Sequence, residues 1–341
     1  MKGIIIINLG SPESPSEADV KRYLKEFLMD KRVIDINPVL RAFLVKGIIA
    51  PLRSASSSEA YKSIWGERGS PLKAITEDFA AAVRPKLDVK LAVCMRYGNP
   101  TPLDALNELG KVDEILIAPM YPHYAMSSYE TALEHVKAAV RARDKSIKIK
   151  ALKPFYNEPG YISALAASIK PYLERENFDA VMFSYHGIPV RHLQRSDPTK
   201  NHCYMGADCC SVKSDAWKYC YKHQVGVTTK LVAEKLGLPE NKVILSYQSR
   251  LGKGWIEPFT DKLLEELPGR GVKKLLVVCP SFVADCLETL EEINIRGKEL
   301  FLQNGGKKLV SAACLNVSPE WVETFANYCN LCDGEYSGAW E

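Results

Sequence analysis

No segment of this chain reaches the ~18–20 uninterrupted apolar residues that a helix needs to cross a bilayer, and the amino terminus lacks the charged-then-apolar pattern of an export signal. The expectation is a cytoplasmic protein, peripheral at the inner face of a membrane at most. A long basic block is missing too. A formal net charge of +4 over 341 residues leaves no electrostatic footprint for nucleic acid, so no nucleic-acid partner is expected. Structural disulfides are a third expected absence, because a reducing compartment keeps thiols free. The ten cysteines therefore need another reading. Cys94 and Cys279 lie in apolar runs and are read as small core hydrophobes.

What is present is a core-forming composition. With 46% hydrophobic residues the chain can fill one large core or two ordinary ones, and at ~100–200 residues per domain two lobes are expected. Short runs rich in β-branched residues occur at 4–9, 90–94, 114–118, 147–152, 180–184, 242–246, 274–279 and 308–312. They alternate with segments of helical spacing at 16–29, 71–84, 102–109, 128–143, 159–175, 213–236, 255–267, 286–304 and 319–327. The alternation predicts an α/β fold: two similar doubly wound parallel-sheet lobes around a cleft. The halves echo each other. Asn8-Leu9-Gly10-Ser11-Pro12 and Ser184-Tyr185-His186-Gly187-Ile188-Pro189 each end an apolar strand in a polar turn, and Ala118-Pro119 and Cys279-Pro280 each run a strand into proline. The expected division is a first lobe over 1–157, a second over 158–312, and a tail over 313–341 that folds back and carries Cys329-x-x-Cys332.

The chemistry-bearing residues stand at expected strand ends. His186 follows the apolar run 180–183, and the segment Cys279 to Glu292 follows the run 275–278. If both runs are parallel strands, their carboxyl ends face one side, where open α/β sheets bind ligands. Histidine titrates near neutral pH and its neutral nitrogen binds metals; Glu288 and Glu292, four apart on a helix, would share a face. Taken alone, His186 also reads as a core histidine closing a strand, and the two glutamates as a solvated helix face flanked by Glu291.

Eight pieces in order decide between these readings. They are Asn8-Leu9-Gly10-Ser11-Pro12, Tyr61-x-x-Ile64-x-Gly66-x-x-Gly69-Ser70-Pro71-Leu72, Arg96-Tyr97-Gly98-Asn99-Pro100, Pro119-Met120-Tyr121-Pro122-His123-Tyr124, Ser184 to Pro189, Tyr247-Gln248-Ser249, Trp255-Ile256-Glu257-Pro258 and Ala284-Asp285-Cys286-Leu287-Glu288-Thr289-Leu290. Along nearly its whole length the chain resembles the ferrochelatases, enzymes that insert ferrous iron into a porphyrin (protoporphyrin IX or coproporphyrin III) to form heme or coproheme. The resemblance implies His186 as base and contact to the substrate iron, with Glu288 facing it across the porphyrin and Glu292 on a path for protons or hydrated iron. A flat, apolar ring also needs walls and anchors. The candidates are Trp255, Tyr121, Tyr124, Tyr97 and Tyr185 for the walls, Arg96 as polar anchor, and Lys31, Arg32 or Arg53 for the propionates. The chain departs from the family at Cys286, where many ferrochelatases have histidine, and at Ser196-Asp197-Pro198-Thr199, where the family has an acidic Gly-Asp-Pro-Tyr segment.

A cysteine-rich insert follows that second departure: His202-Cys203, five residues, Cys209-Cys210, nine residues, Cys220. The spacing suits zinc or an iron–sulfur cluster, or else free thiols in a surface loop. The resemblance favours a [2Fe–2S] cluster on Cys203, Cys209, Cys210 and Cys220, with Cys314, Cys329 or Cys332 able to replace one of the adjacent pair. Residues 38–52 are too apolar for a loop and too short for a span. Flanked by Arg41, Lys46 and Arg53 they read as an interfacial helix, matching the lip over the family's active site, or as an ordinary packed helix. Two other functions share these features: a chelatase for another divalent metal and tetrapyrrole, and a non-catalytic heme- or redox-sensing protein. Oligomeric state is left open.

Overall fold

The frame is a pair of four-stranded parallel sheets in a computed structural model that describes residues 1–206 and 208–331. In one sheet β1 (Lys2–Gly10), β2 (Lys90–Tyr97), β3 (Glu114–Pro119) and β4 (Lys148–Ala151) lie in the order β2-β1-β3-β4. In the other, β5 (Ala180–His186), β6 (Val243–Gln248), β7 (Lys274–Val278) and β8 (Lys308–Ser311) lie in the order β6-β5-β7-β8. Each strand falls on a β-branched run read from the sequence, with its ends moved by a few residues. Every pairing is parallel, so each return to the sheet needs a crossover, and helices supply it. Helices on both faces explain why β1 buries Ile4, Ile5, Ile6 and Ile7 in succession rather than alternately.

The two sheets are wound alike. The first strand of each sits in the interior, its second strand on one side and its third on the other, so β1 matches β5 and β3 matches β7. The prolines noticed in the sequence, Pro119 and Pro280, fall at the ends of these matching third strands. The chain divides into two compact units. One holds Met1–Met120, Met126–Lys153 and the described residues from Val322; the other holds Tyr121–Ala125 and Pro154–Trp321.

Three helical segments differ from the sequence reading. Pro38–Ala42, Phe43–Ile49 and Ala50–Ile64 follow one another as helix, π-helix and helix, well past residue 52. Apolar periodicity misses the extension because its buried face is Ala50, Ser54, Ser58 and Tyr61. The Ser54 hydroxyl donates to the Glu17 carboxylate at 2.7 Å and the Ser58 hydroxyl to the Pro15 carbonyl at 2.6 Å. Val190–Ser196 is a short helix that the sequence did not announce. The segment expected from 255 becomes helical only at Thr260, because Trp255 bridges to Pro189 and Pro258 keeps the residue before it extended.

Gly10 ends β1 at φ +98°, and a Cβ there would sit 1.9 Å from the Tyr97 carbonyl oxygen. Gly237, at φ +64°, has open space around it. Gly10→Ala is expected to lower stability by about 3 kcal/mol and Gly237→Ala by about 1 kcal/mol, read from urea unfolding midpoints. Equal shifts would show that the crowding at Tyr97 does not matter.

Candidate active site

The polar groups gather at the carboxyl ends of β5, β6 and β7. Register pairs His186, the last residue of β5, with Gln248, the last of β6. The His186 Nδ1 lies 2.6 Å from the Gly187 carbonyl oxygen. A carbonyl only accepts, so in the neutral ring Nδ1 carries the proton and Nε2 presents its lone pair. Gly187 donates its N–H to the Gln248 carbonyl at 2.8 Å. A Cβ on Gly187 would lie 2.9 Å from that carbonyl and 3.3 Å from the Trp255 ring, so the bare α-carbon is what lets the indole approach. Phe282 adds a second wall, its ring centroid 6.3 Å from that of His186 and tilted by 56°.

The carboxylates come from the helix after β7. Glu288–Gly297 is π-helical, a form enriched at functional sites. Its turn is wider than an α-turn, so residues four apart fall just short of one revolution and Glu288 and Glu292 keep a common face. Three groups of polar contacts fix this helix. The Asp285 carboxylate accepts from the Thr289 hydroxyl at 2.8 Å and the Asn316 amide at 2.7 Å, while the Asn316 carbonyl oxygen accepts the Asp285 N–H at 2.9 Å. The Gln248 side chain donates to the Glu288 carbonyl at 3.0 Å and accepts from the Ser184 hydroxyl at 2.7 Å. Ser249 gives both its N–H (2.8 Å) and its hydroxyl (2.5 Å) to the Glu292 carboxylate.

These groups share one electrostatic field. Burial holds the Glu292 carboxyl above the ordinary carboxylate range; the Ser249 hydroxyl and His186 pull it down, and the charge of Glu288 pushes it up. Glu291 is no solvated neighbour: it is buried and accepts two bonds from Arg296, at 2.6 and 2.8 Å. Cys286 is buried with its thiol bonded to Glu288, and burial followed by that neighbouring charge drives its titration well above the usual thiol value. It is a poor base.

The structure brings His186, Glu288, Glu292, Trp255 and Tyr121 into one unit. Tyr185 and Tyr124, expected among the wall aromatics, are instead core residues: the Tyr185 hydroxyl is bonded to Thr229 at 2.7 Å, and the Tyr124 N–H donates to Gln224 at 2.7 Å. Arg96, Tyr97 and Lys31 belong to the other unit. There Asp30 accepts from the Arg96 guanidinium, from the Thr131 hydroxyl and from the Tyr97 hydroxyl at 2.9 Å, so Arg96 and Tyr97 already serve a buried carboxylate. Arg32 donates to Glu130 at 2.8 Å, and Lys31 and Arg53 are exposed. Sequence reasoning missed Gln248, Ser249 and Phe282 as site residues. Gln248 and Ser249 stand in one of the family pieces without a site role, and Phe282 lies in the segment after β7.

The insert gathers its thiols. The Cys220 thiol is hydrogen-bonded with those of Cys203 and Cys210, and Cys210 also with Cys209. The bond to Cys203 and the crowding around it push Cys220 up to about 12. Among the described residues no three His, Cys, Asp or Glu side chains are spaced to hold one metal ion, so the thiols form a string rather than a cage. Cys314 lies elsewhere, bonded to Asp285, Cys329 is on the last helix, and Cys332 is outside the described residues. Asp197 organises the loop that carries Cys203. Its carboxylate, 2% exposed, accepts the N–H groups of Thr199, His202 and Cys203 at 2.8, 2.9 and 2.9 Å. The indole of Trp217 stacks on His223 at 4.2 Å alongside.

A family model described as Ferrochelatase matches residues 1–331. The chain belongs to the ferrochelatase family. A ferrochelatase from Pseudomonas entomophila is 47% identical over 333 residues, covering 96% of this chain and 98% of its own length. One from Opitutus terrae is 43% identical over 335 residues, covering 96% of each. Among solved structures, the sirohydrochlorin chelatase SirB from Bacillus subtilis subspecies spizizenii in complex with cobalt aligns at a TM-score of 0.55 and 12% identity, covering 99% of this chain and 97% of that one. That likeness carries the two-lobed chelatase fold. The order of the cysteine-rich loop can be tested at Asp197.

Burial alone would raise the Asp197 carboxyl, but the N–H of Cys203, the Thr199 hydroxyl and the N–H groups of His202 and Thr199 outweigh it and bring it down to about 2. A depressed carboxylate stabilises the fold above its ordinary titration range near 3.8, and that contribution is lost as pH falls through about 2. It is worth about 2 kcal/mol at neutral pH. Asp197→Asn should speed amide exchange in the 198–204 peptide at pH 7 by roughly 10- to 30-fold. Unchanged exchange would remove Asp197 as the organiser of the loop.

Proposed function

We propose that this chain inserts ferrous iron into a porphyrin, with His186 as the base at the ring centre and Glu288 and Glu292 completing the site. The observation that carries this reading is the convergence of the three groups: a histidine lone pair at the end of β5, the Glu288 position tied to Gln248 beside it, and the Glu292 carboxylate held by Ser249 and lifted above its ordinary range by burial. Each Fe2+ that enters the macrocycle displaces two pyrrole N–H protons. Nε2 of His186 accepts a pyrrole proton, and Glu292, whose raised carboxyl titrates closer to working pH, takes protons onward. Glu288 offers its charge to the arriving iron. Trp255, Phe282 and Tyr121 form apolar walls for the ring. Lys31, exposed and cationic, is kept as the proposed propionate contact.

Cys203, Cys209, Cys210 and Cys220 are the proposed donors of a [2Fe–2S] cluster: four thiols is the number such a cluster takes, though here they are strung together by hydrogen bonds, and a bound cluster would supply one-electron chemistry. A thiol held up to about 12 does not ionise by itself near neutrality, so a bound cluster is what would deprotonate Cys220. The lip is proposed to rest on a membrane surface. Val39, Phe43 and Leu52 are 76, 68 and 76% exposed beside the exposed cations Lys46 and Arg53, while Val45 packs inward with Leu28 and Ile34. No described helix is long and apolar enough to cross a bilayer.

Purified protein given Fe2+ and protoporphyrin or coproporphyrin without oxygen should yield a metalloporphyrin spectrum, and His186→Ala should cut the rate by at least ~100-fold. Full turnover in that variant would sink the mechanism. Anaerobically isolated protein is expected to contain iron and acid-labile sulfide with visible absorption, and Cys220→Ser to lose both; a colourless, iron-free wild type rules the cluster out. Binding to vesicles containing anionic lipid should fall roughly tenfold in Phe43→Asp, and equal binding would count against the lip.

A further inference from the structure

We propose that Ser249 is a positioning residue for iron insertion, holding the Glu292 carboxylate in the orientation that takes protons from His186; this rests on the functional reading above. Ser249 lies at φ +63°, in the left-handed region that non-glycine residues seldom occupy. Sparsely populated backbone geometry persists where surrounding contacts over-determine it, and it concentrates at functional sites. Here the contacts are two bonds to one side chain. At this φ the Ser249 N–H and hydroxyl point together at the two oxygens of Glu292, at 2.8 and 2.5 Å.

The placement has a second support in the residue just before. Gln248 is the register partner of His186, and its side-chain amide holds the Glu288 carbonyl at 3.0 Å. Two consecutive residues thus bind two of the three glutamate positions of the π-helix, Glu288 and Glu292, to the strand beside the proposed catalytic histidine: Gln248 holds the backbone at Glu288, and Ser249 holds the side chain at Glu292. Arg296, the cation on the same helix, gives its guanidinium to Glu291 instead. The orientation of the Glu292 carboxylate is therefore assigned to Ser249. A serine that only closed the turn after β6 would need neither bond to reach a titratable group.

The test uses the full chain. Ser249→Gly accepts φ +63° without strain and deletes the hydroxyl, so the fold should survive; Ser249→Ala deletes the same hydroxyl and serves as the second variant. Both are expected to lower kcat about tenfold, with KM for porphyrin within twofold of wild type and the thermal midpoint of the glycine variant unchanged. Glu292→Gln should lower kcat by itself, and Ser249→Gly combined with Glu292→Gln should be no slower than Glu292→Gln alone, because the serine then has no carboxylate to orient. Wild-type kcat in the glycine variant, or losses that multiply in the double variant, would overturn the role of Ser249 alone. An inactive wild type would overturn the functional reading and this role with it.

Discussion

Hydrogen-bond register between β5 and its neighbours governs the rest of the site. In a parallel sheet a slip of one residue turns every side chain to the opposite face. With His186 opposite Gln248 and Phe183 opposite Val278, the imidazole, the Gln248 amide and the chain leaving β7 arrive at one edge together. That register is held by a fully buried interior. Val181, Met182, Phe183 and Tyr185 are all nearly inaccessible, so any slip would move apolar side chains and the Tyr185–Thr229 hydrogen bond at once. The core acts on the candidate site through this geometry, by aiming groups that it never touches chemically.

The π-helix shows how polar contacts complete what packing begins. A π-turn leaves the backbone less regularly bonded than an α-turn, and it needs outside support. Asp285 with Asn316, Gln248, and Ser249 provide it at three successive points along the segment. Two of the supporting residues, Ser249 and Asn316, sit at positive φ, so the strain lies in the loops while the glutamates stay in helical backbone. The same arrangement separates neighbours by role: Glu292 faces the histidine field, whereas Glu291, adjacent in sequence, is consumed by Arg296.

Much of this was legible from sequence for identifiable reasons. The strands carry runs of β-branched residues long enough to outweigh other propensities, and their alternation with helical spacing leaves few topologies. His186 and Glu288 stood out because chemistry-bearing residues followed apolar runs. What stayed hidden was polar or small. The helix Ala50–Ile64 buries serines whose hydroxyls are satisfied by Glu17 and Pro15, so hydropathy sees no stripe. Arg96 and Tyr97 looked like ligand contacts because motif position does not reveal that Asp30, sixty-six residues away from Arg96, meets them first. Gln248 and Ser249 were quoted within a motif, yet what they bind is decided by strand order. Single-residue spacing cannot supply that.

The division of the chain has a consequence for how the molecule is made. The first unit is interrupted in sequence: it claims the described residues from Val322, where Phe325 packs its ring on Phe79 at a centroid distance of 5.1 Å and Glu323 pairs with Lys86 at 2.6 Å. During synthesis from the amino end, the earliest-made sheet must therefore wait for the helix that carries Phe325 before its hydrophobic surface at Phe79 is sealed. Until that helix is made, the surface stays open to holdase chaperones or to degradation.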